Sequence, residues 1–270
     1  MTVVAAIQMT SGPDVAANLE DARVLLEEAA ARDAQLAVLP ENFAFMGRSD
    51  AERRRVQEAD GGGPIQDFLA DTARRLGLWI VAGTVPLAGA PDGRVAPASL
   101  VYDARGERRA RYDKIHLFDV QLPGRAESYR ESAHFAPGRE PVVLDTPAGR
   151  LGLSVCYDVR FPELYRMLSA RGAQLFTVPA AFTAATGRAH WEVLLRARAI
   201  ENLCAVIAPG QSGLHPNGRE TYGDTLIADH WGRVLARLSQ GRGCITADID
   251  LEAERRDRQS FPALEHRVLG

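Results

Sequence analysis

The sequence predicts a single α/β domain built from two mixed sheets with helices on the outer faces. Three observations carry this. Near both ends of the chain, short apolar runs alternate with amphipathic stretches, the rhythm of β-α-β units with parallel pairing. The middle instead shows strand-like runs joined by glycine-containing turns, which bring antiparallel strands into the sheets. No linker rich in Pro, Gly or Ser divides the chain, so residues 1–270 read as one unit.

The elements follow in order. TVVAAIQM is a buried strand, and Asp14 is placed to cap a helix with Val15, Leu19, Ala22, Leu25, Leu26 and Ala29 on one broad face. QLAVLPE is a second strand. PIQDFLADTARRLG reads as a helix, with Pro64 near its start and Gly77 past its end, and LWIVAGT follows as a third strand. ASLVYD and ERRARYDK form one hairpin around Ala104-Arg105-Gly106, and PVVLDT and RLGLSVCYD a second around Pro147-Ala148-Gly149. Between them, His116 to Arg139 lacks sustained periodicity and reads as a long, substrate-facing loop. The α/β rhythm then returns with a helix at FPELYRMLSARG, a strand at AQLFTVPA, a helix from about Ala189 to Asn202 and a strand at CAVIAP. A last meander of GDTLIAD, RVLARLS and GCITADID turns at His230-Trp231-Gly232-Arg233 and Gln240-Gly241-Arg242, ahead of a polar helix and a short tail.

Composition excludes several classes. The net charge of −3 with both signs interleaved leaves no basic run to track a phosphate backbone, so no nucleic-acid partner is expected. No apolar run is long enough for a membrane span, and the first strand lacks the pattern of a signal peptide. A cytoplasmic protein is expected. Cys156, Cys204 and Cys244 are odd in number, far apart and without C-x-x-C spacing, which argues for reduced thiols and against a disulfide framework or zinc knuckle. The six histidines show no H-x-H or H-x-x-x-H spacing, and no metal site is expected.

Glu41, Lys114 and Cys156 share one kind of address, the end of an apolar strand where the chain leaves for a loop, and that is where α/β sheets usually bind ligands. Each alone has a bland reading. A cysteine in an apolar strand is commonly inert packing, as Cys204 and Cys244 read; Glu41 can be a cap or salt-bridge residue; Lys114 can be a solvated charge protecting a strand edge. Together they supply what thiolate attack on an amide requires: a base, an electropositive site for the oxyanion, and an acid for the leaving amine. The Tyr157 N–H, next after the thiol, is placed as a second oxyanion donor. A rival pairing of Cys156 with a histidine, His116 or His190, stays open at this level.

Leu39-Pro40-Glu41-Asn42, Tyr112-Asp113-Lys114-Ile115-His116-Leu117-Phe118 and Cys156-Tyr157-Asp158-Val159-Arg160-Phe161-Pro162-Glu163 resemble the three catalytic blocks of the nitrilase superfamily, the carbon-nitrogen hydrolases, in the same order and along the whole chain. The resemblance implies a four-layer α-β-β-α sandwich that pairs into a homodimer, with no metal or organic cofactor. It implies Glu41 as general base, Lys114 as oxyanion stabiliser and Cys156 as nucleophile. A second glutamate near the site corresponds to Glu131 in RESAHFAPG, with Glu127 as a nearby rival. TGRAHWEVLLRARAIEN is similar to the Nit branch of the superfamily, and within it to the deaminated glutathione amidases. Two positions depart from that pattern: Pro209-Gly210-Gln211-Ser212-Gly213, and His230 where a proline is common.

The implied reaction is hydrolysis of an amide in an α-keto acid derivative: deaminated glutathione and water give 2-oxoglutarate and cysteinylglycine through a thioester on Cys156. An omega-amidase acting on 2-oxoglutaramate is the nearest alternative, and a catalytically silent interaction module is the alternative from another class. Because the substrate is anionic, Arg160 and Arg188 are candidate contacts, each also suited to a structural salt bridge. Phe182 and Thr183, just beyond the strand AQLFTVPA, are expected to line the pocket.

Overall fold

A computed structural model describes residues 1–90, 92–121 and 128–269. Its first sheet is built on β1 (Thr2–Gln8), β2 (Leu36–Leu39) and β3 (Trp79–Ala82), which pair in parallel and are connected by α1 (Val15–Ala31) and α2 (Pro64–Leu76). Asp14 accepts from the Ala17 N–H at the start of α1, and Gly77 adopts the left-handed conformation that ends α2. The strands β4 (Val85–Leu87), β5 (Ala96–Tyr102) and β6 (Arg108–Asp113) extend the sheet antiparallel, β5 pairing with β3, β4 and β6.

In β1, Val4 and Ala6 belong to one apolar cluster, and Ala5 and Ile7 to another. In β2, Leu36 and Val38 divide from Ala37 and Leu39 in the same way. A period of two with apolar residues at every step is what a sheet covered on both faces requires. One cluster lies under α1 and α2; the other fills the space between the two sheets and reaches the helices beyond.

After β6 come β7 (Asp119–Gln121), β8 (Ser128–Arg130), β9 (Val143–Thr146), β10 (Gly149–Leu153), α3 (Pro162–Ala170), β11 (Leu175–Thr177), α4 (Ala184–Asn202) and β12 (Ala205–Ala208). Then follow β13 (Ser212–Leu214), β14 (Glu220–Tyr222), β15 (Thr225–Ala228), β16 (Val234–Leu238), β17 (Gly243–Ile249) and α5 (Leu251–Ser260). The second sheet runs β16-β15-β12-β11-β10-β9, parallel through β10, β11 and β12 and antiparallel at its flanks. α3 and α4 cover its outer face, while β12 and β15 meet β1 across the interior. The architecture is therefore the four-layer α-β-β-α sandwich.

Three local expectations change. The final meander does not stay in one sheet: β15 and β16 pair in the second, but β17 crosses to the first and pairs antiparallel with β1 along its whole length. An antiparallel partner for β1 closes an edge that would otherwise expose unpaired backbone groups. α4 starts at Ala184 rather than near Ala189, because Gly187 fits tightly under Tyr222 and continues the helix instead of breaking it. The segment from His116 to Arg139 is not a bare loop, since β7 pairs with β8 and a 3-10 turn follows at Glu131–Ala133. Among the described residues, no helix is long and apolar enough to cross a membrane.

Candidate active site

β2 delivers Glu41 into a tight turn. Gly83, just after β3, makes that turn possible: a Cβ there would lie 1.9 Å from the Pro40 carbonyl oxygen. Asn42 takes a left-handed conformation (φ 61°), and its N–H donates to Thr84 Oγ1 at 2.9 Å. From below, Gln211 Nε2 donates to the Glu41 carbonyl at 3.1 Å, so the whole residue is fixed and its side chain buried.

Lys114 follows β6, and its side chain is 2% exposed. Cys156 opens a 3-10 turn at Cys156–Arg160, beyond β10, with φ at +48°. A left-handed non-glycine residue costs about 1–2 kcal/mol and persists only where its surroundings enforce it. Here the Cys156 N–H donates to the Pro179 carbonyl at 2.9 Å. Asp158, fully buried, accepts from the Val155 N–H at 2.8 Å, from Tyr112 Oη at 2.7 Å and from the His116 N–H at 3.0 Å, with His116 Nδ1 2.7 Å away. One carboxylate thus locks the Lys114 segment to the cysteine elbow.

The side chains converge. Lys114 Nζ donates to Glu41 Oε1 at 2.8 Å and to both oxygens of Glu131 at 2.9 Å. Glu41 Oε2 accepts from the Ala181 N–H at 2.8 Å, and Cys156 lines the same cleft, near enough for the Glu41 charge to act on its thiol. Glu131 accepts the Phe118 N–H at 2.6 Å. Glu127 lies outside the described residues.

The electrostatics separate these groups. Burial pushes the Cys156 thiol well up, the Glu41 charge adds to it, and Lys114 only partly opposes, so the resting thiol is protonated. Burial also acts to raise Glu41, but the Lys114 charge and hydrogen bond, the neighbouring thiol and the Arg219 charge outweigh it and hold Glu41 below the usual carboxylate range. Glu131 moves the other way, raised by burial and by Glu41 against the pull of Lys114. Burial works to lower Lys114, yet the charges of Glu131 and Glu41 keep it above its ordinary value and cationic. An ionised carboxylate beside a neutral thiol and a fixed ammonium is competent for proton abstraction coupled to attack.

These groups form the floor of a cleft that opens to solvent. Tyr157, Phe182 and Thr183 line it; Tyr157 packs edge-on against Phe118 with centroids 5.0 Å apart, and Phe182 rests on Trp191 at the same distance. Arg160 packs against this wall without being among the cleft-lining residues, its guanidinium 5.0 Å from the Phe182 ring and 5.8 Å from that of Tyr157, and donates to His190 Nδ1 at 3.2 Å. Arg188 is exposed on α4 and is not among the cleft-lining residues. No histidine among the described residues lines the cleft: His116 is held by Asp158 and stacked on Phe161, and His190 is exposed.

The structure adds residues that sequence reasoning did not single out. Arg53 and Arg219 are the arginines that line the cleft among the described residues, the first from a 3-10 turn at Asp50–Arg55 and the second from the turn between β13 and β14. Gln211 and Asp158 act behind the reacting groups. Among the described residues, no cluster of three or more His, Cys, Asp or Glu side chains is arranged to hold a metal ion.

An α-β-β-α sandwich with glutamate, lysine and cysteine at adjoining strand ends defines a class of hydrolase. The chain belongs to the carbon-nitrogen hydrolase family, whose pattern matches residues 3–259, and it is an amidase of the nitrilase superfamily. It is 44% identical over 268 residues to a deaminated glutathione amidase of Synechocystis sp., covering 98% of this chain and 97% of the relative. A human deaminated glutathione amidase is 41% identical over 273 residues, covering 99% and 82%. Among solved structures, Saccharomyces cerevisiae Nit3, a member of branch 10 of the nitrilase superfamily, superposes with a TM-score of 0.89 at 29% identity, covering 99% of this chain and 97% of that one.

Proposed function

We infer that this enzyme hydrolyses deaminated glutathione to 2-oxoglutarate and cysteinylglycine. The observation that carries the mechanism is the meeting of Glu41, Lys114 and Cys156 on the floor of one cleft, with Lys114 Nζ bound to Glu41 at 2.8 Å. The substrate is carried over from relatives 41–44% identical across nearly the whole chain.

Glu41 takes the thiol proton as Sγ attacks the amide carbonyl carbon. The oxyanion is stabilised by the Lys114 ammonium and by the Tyr157 N–H. Glu41 then passes its proton to the departing amine, the C–N bond breaks, and a thioester remains on Cys156. Water, deprotonated by Glu41, attacks that thioester and returns Cys156 as a thiol with 2-oxoglutarate released. Glu131 keeps Lys114 in position throughout, bridging it to the Phe118 backbone. Phe182 and Thr183 shape the acyl pocket, with Arg160 at its edge as a contact for the α-keto acid carboxylate.

The enzyme is read as a homodimer of the cytoplasm. Exposed Val193 and Ile200 on α4, with Trp231, Val234, Leu235 and Phe261, offer apolar surface suited to a second copy, and three free thiols suit a reducing compartment. Incubation of wild type and Cys156→Ala with deaminated glutathione, 2-oxoglutaramate, a simple aliphatic amide and a nitrile tests the substrate. The highest kcat/KM is expected for deaminated glutathione in wild type alone. Preference for 2-oxoglutaramate would replace the reading with an omega-amidase, and wild type inert to every compound would indicate an interaction module.

A further inference from the structure

We propose that Arg219 is the subsite for a carboxylate carried on the leaving-group side of the amide, so that the enzyme selects amides whose departing amine ends in an acid. The proposal rests on the substrate reading above and adds the residue that makes the choice. Acyl transfer to Cys156 requires the amine to depart while the acyl group stays bound, so the amine must occupy the side of the cleft that opens to solvent. Asp50, Tyr129 and Arg219 line both the catalytic cleft and an adjoining outer groove, which places them at that opening.

Of the charged groups at this opening, Arg219 has capacity to spare. Asp50 is already engaged by the buried Arg53. Arg219 spends one Nη2 hydrogen bond on the Ala181 carbonyl and lies 5.1 Å from the Tyr129 ring, and no carboxylate among the described residues pairs with it. Its Nε is buried without a hydrogen-bond partner. A buried guanidinium N–H left open beside a cleft is a cost that an incoming carboxylate removes. Its charge also reaches Glu41, so it stands close to the reacting groups.

The turn presenting it is fixed in advance. The His215 N–H donates to the Arg219 carbonyl at 2.9 Å, and the buried His215 ring holds Ser11 O through Nδ1 at 2.9 Å and Thr221 Oγ1 through Nε2 at 2.7 Å. Farther out, Arg48 and Glu220 carry opposite charges, which leaves Arg219 as the cation at the inner end. A leaving dipeptide carries a terminal carboxylate to this point, whereas the ammonia released from 2-oxoglutaramate carries nothing.

The test compares kcat/KM for deaminated glutathione and for its C-terminal carboxamide, in wild type, Arg219→Gln and Arg219→Lys, with 2-oxoglutaramate as a third substrate. Wild type is expected to favour the acid by about tenfold or more, the worth of one charge-assisted hydrogen bond. That ratio should fall to near one in Arg219→Gln and be partly kept in Arg219→Lys, whatever factor a variant loses on all substrates alike. Equal kcat/KM for acid and carboxamide in wild type overturns the subsite without need of a variant. An unchanged ratio in Arg219→Gln also overturns it, leaving Arg219 only as a support for Ala181. Wild type that releases ammonia from 2-oxoglutaramate but cleaves neither peptide overturns the subsite and the substrate reading together.

Discussion

Replacing Lys114 by Met keeps the apolar stem but leaves Glu41 and Glu131 buried around a missing cation. In the native protein Lys114 donates to three oxygens at 2.8–2.9 Å, and the side chains of Lys114, Glu41 and Glu131 are only 2%, 6% and 14% exposed. Breaking a buried ion pair from one side costs about 3–5 kcal/mol, which in a chain of this size lowers Tm by roughly 10 °C. The loss must also depend on pH. Without the ammonium, at least one carboxyl has a folded pKa raised above its unfolded value, so the fold holds a proton that the unfolded chain releases. Its stability is then intact below about pH 4.5 and lost as pH rises, at about 1.4 kcal/mol per pH unit until the folded pKa is passed. In wild type, Glu41 has the opposite sign, its stabilisation present above the ordinary carboxylate range and lost only in acid, while Glu131 is already raised with Lys114 in place and gives wild type some decline of its own. The gap between wild type and Lys114→Met should therefore widen between pH 4.5 and 7, by at most about 3 kcal/mol. Urea denaturation of both proteins at the two pH values reads it directly. A loss under about 1 kcal/mol at pH 7, or one equal at both pH values, would refute the claim that Lys114 neutralises this pair.

Further outcomes follow from other contacts. Glu41→Gln should lower kcat by about 10²–10⁴-fold while His116→Ala and His190→Ala lose far less, measured by initial rates; the reverse pattern would move the base to a histidine. Gly83→Ala forces a Cβ into the Pro40 carbonyl, so it should cost more than about 2 kcal/mol in thermal unfolding and depress kcat by displacing Glu41. Burial pushes the Glu254 carboxyl up to about 8 against the charges of Arg258 and Arg255. Its folded pKa lies above its unfolded one, so stability should decline as pH rises from about 4.5 to 8, and Glu254→Gln should flatten that slope in a pH series of melting curves.

Much of the site was legible because each reacting residue sits at the end of a locally readable strand. LAVLP and LGLSVC announce buried strands by their apolar patterning, RARYD ends a half-exposed strand with Tyr112 alone buried, and the motifs around Glu41, Lys114 and Cys156 stay contiguous in sequence. The residues that escaped notice act across the fold. Arg219 belongs to HPNGRE, whose composition says only that the chain turns, and its reach to the cleft depends on His215 gripping Ser11, 204 residues away. Gln211 supports Glu41 across 170 residues. The place of β17 was missed for the same reason: GCITADID has the pattern of a strand, but its pairing with β1 joins the two ends of the chain and leaves no local mark. Arg160 and Arg188 were singled out for bordering motifs, and the structure puts one against the Phe182 ring and the other on an exposed helix face.

The central claim is that Cys156 carries the acyl group between two half-reactions. Mass spectrometry of protein quenched in acid during turnover of deaminated glutathione tests it most directly. The account predicts a 2-oxoglutaryl adduct on the peptide containing Cys156, absent from Cys156→Ala and removed by hydroxylamine as a thioester is. Steady hydrolysis with no adduct on Cys156 at any quench time, in a protein whose Cys156→Ala variant still turns over, would contradict it.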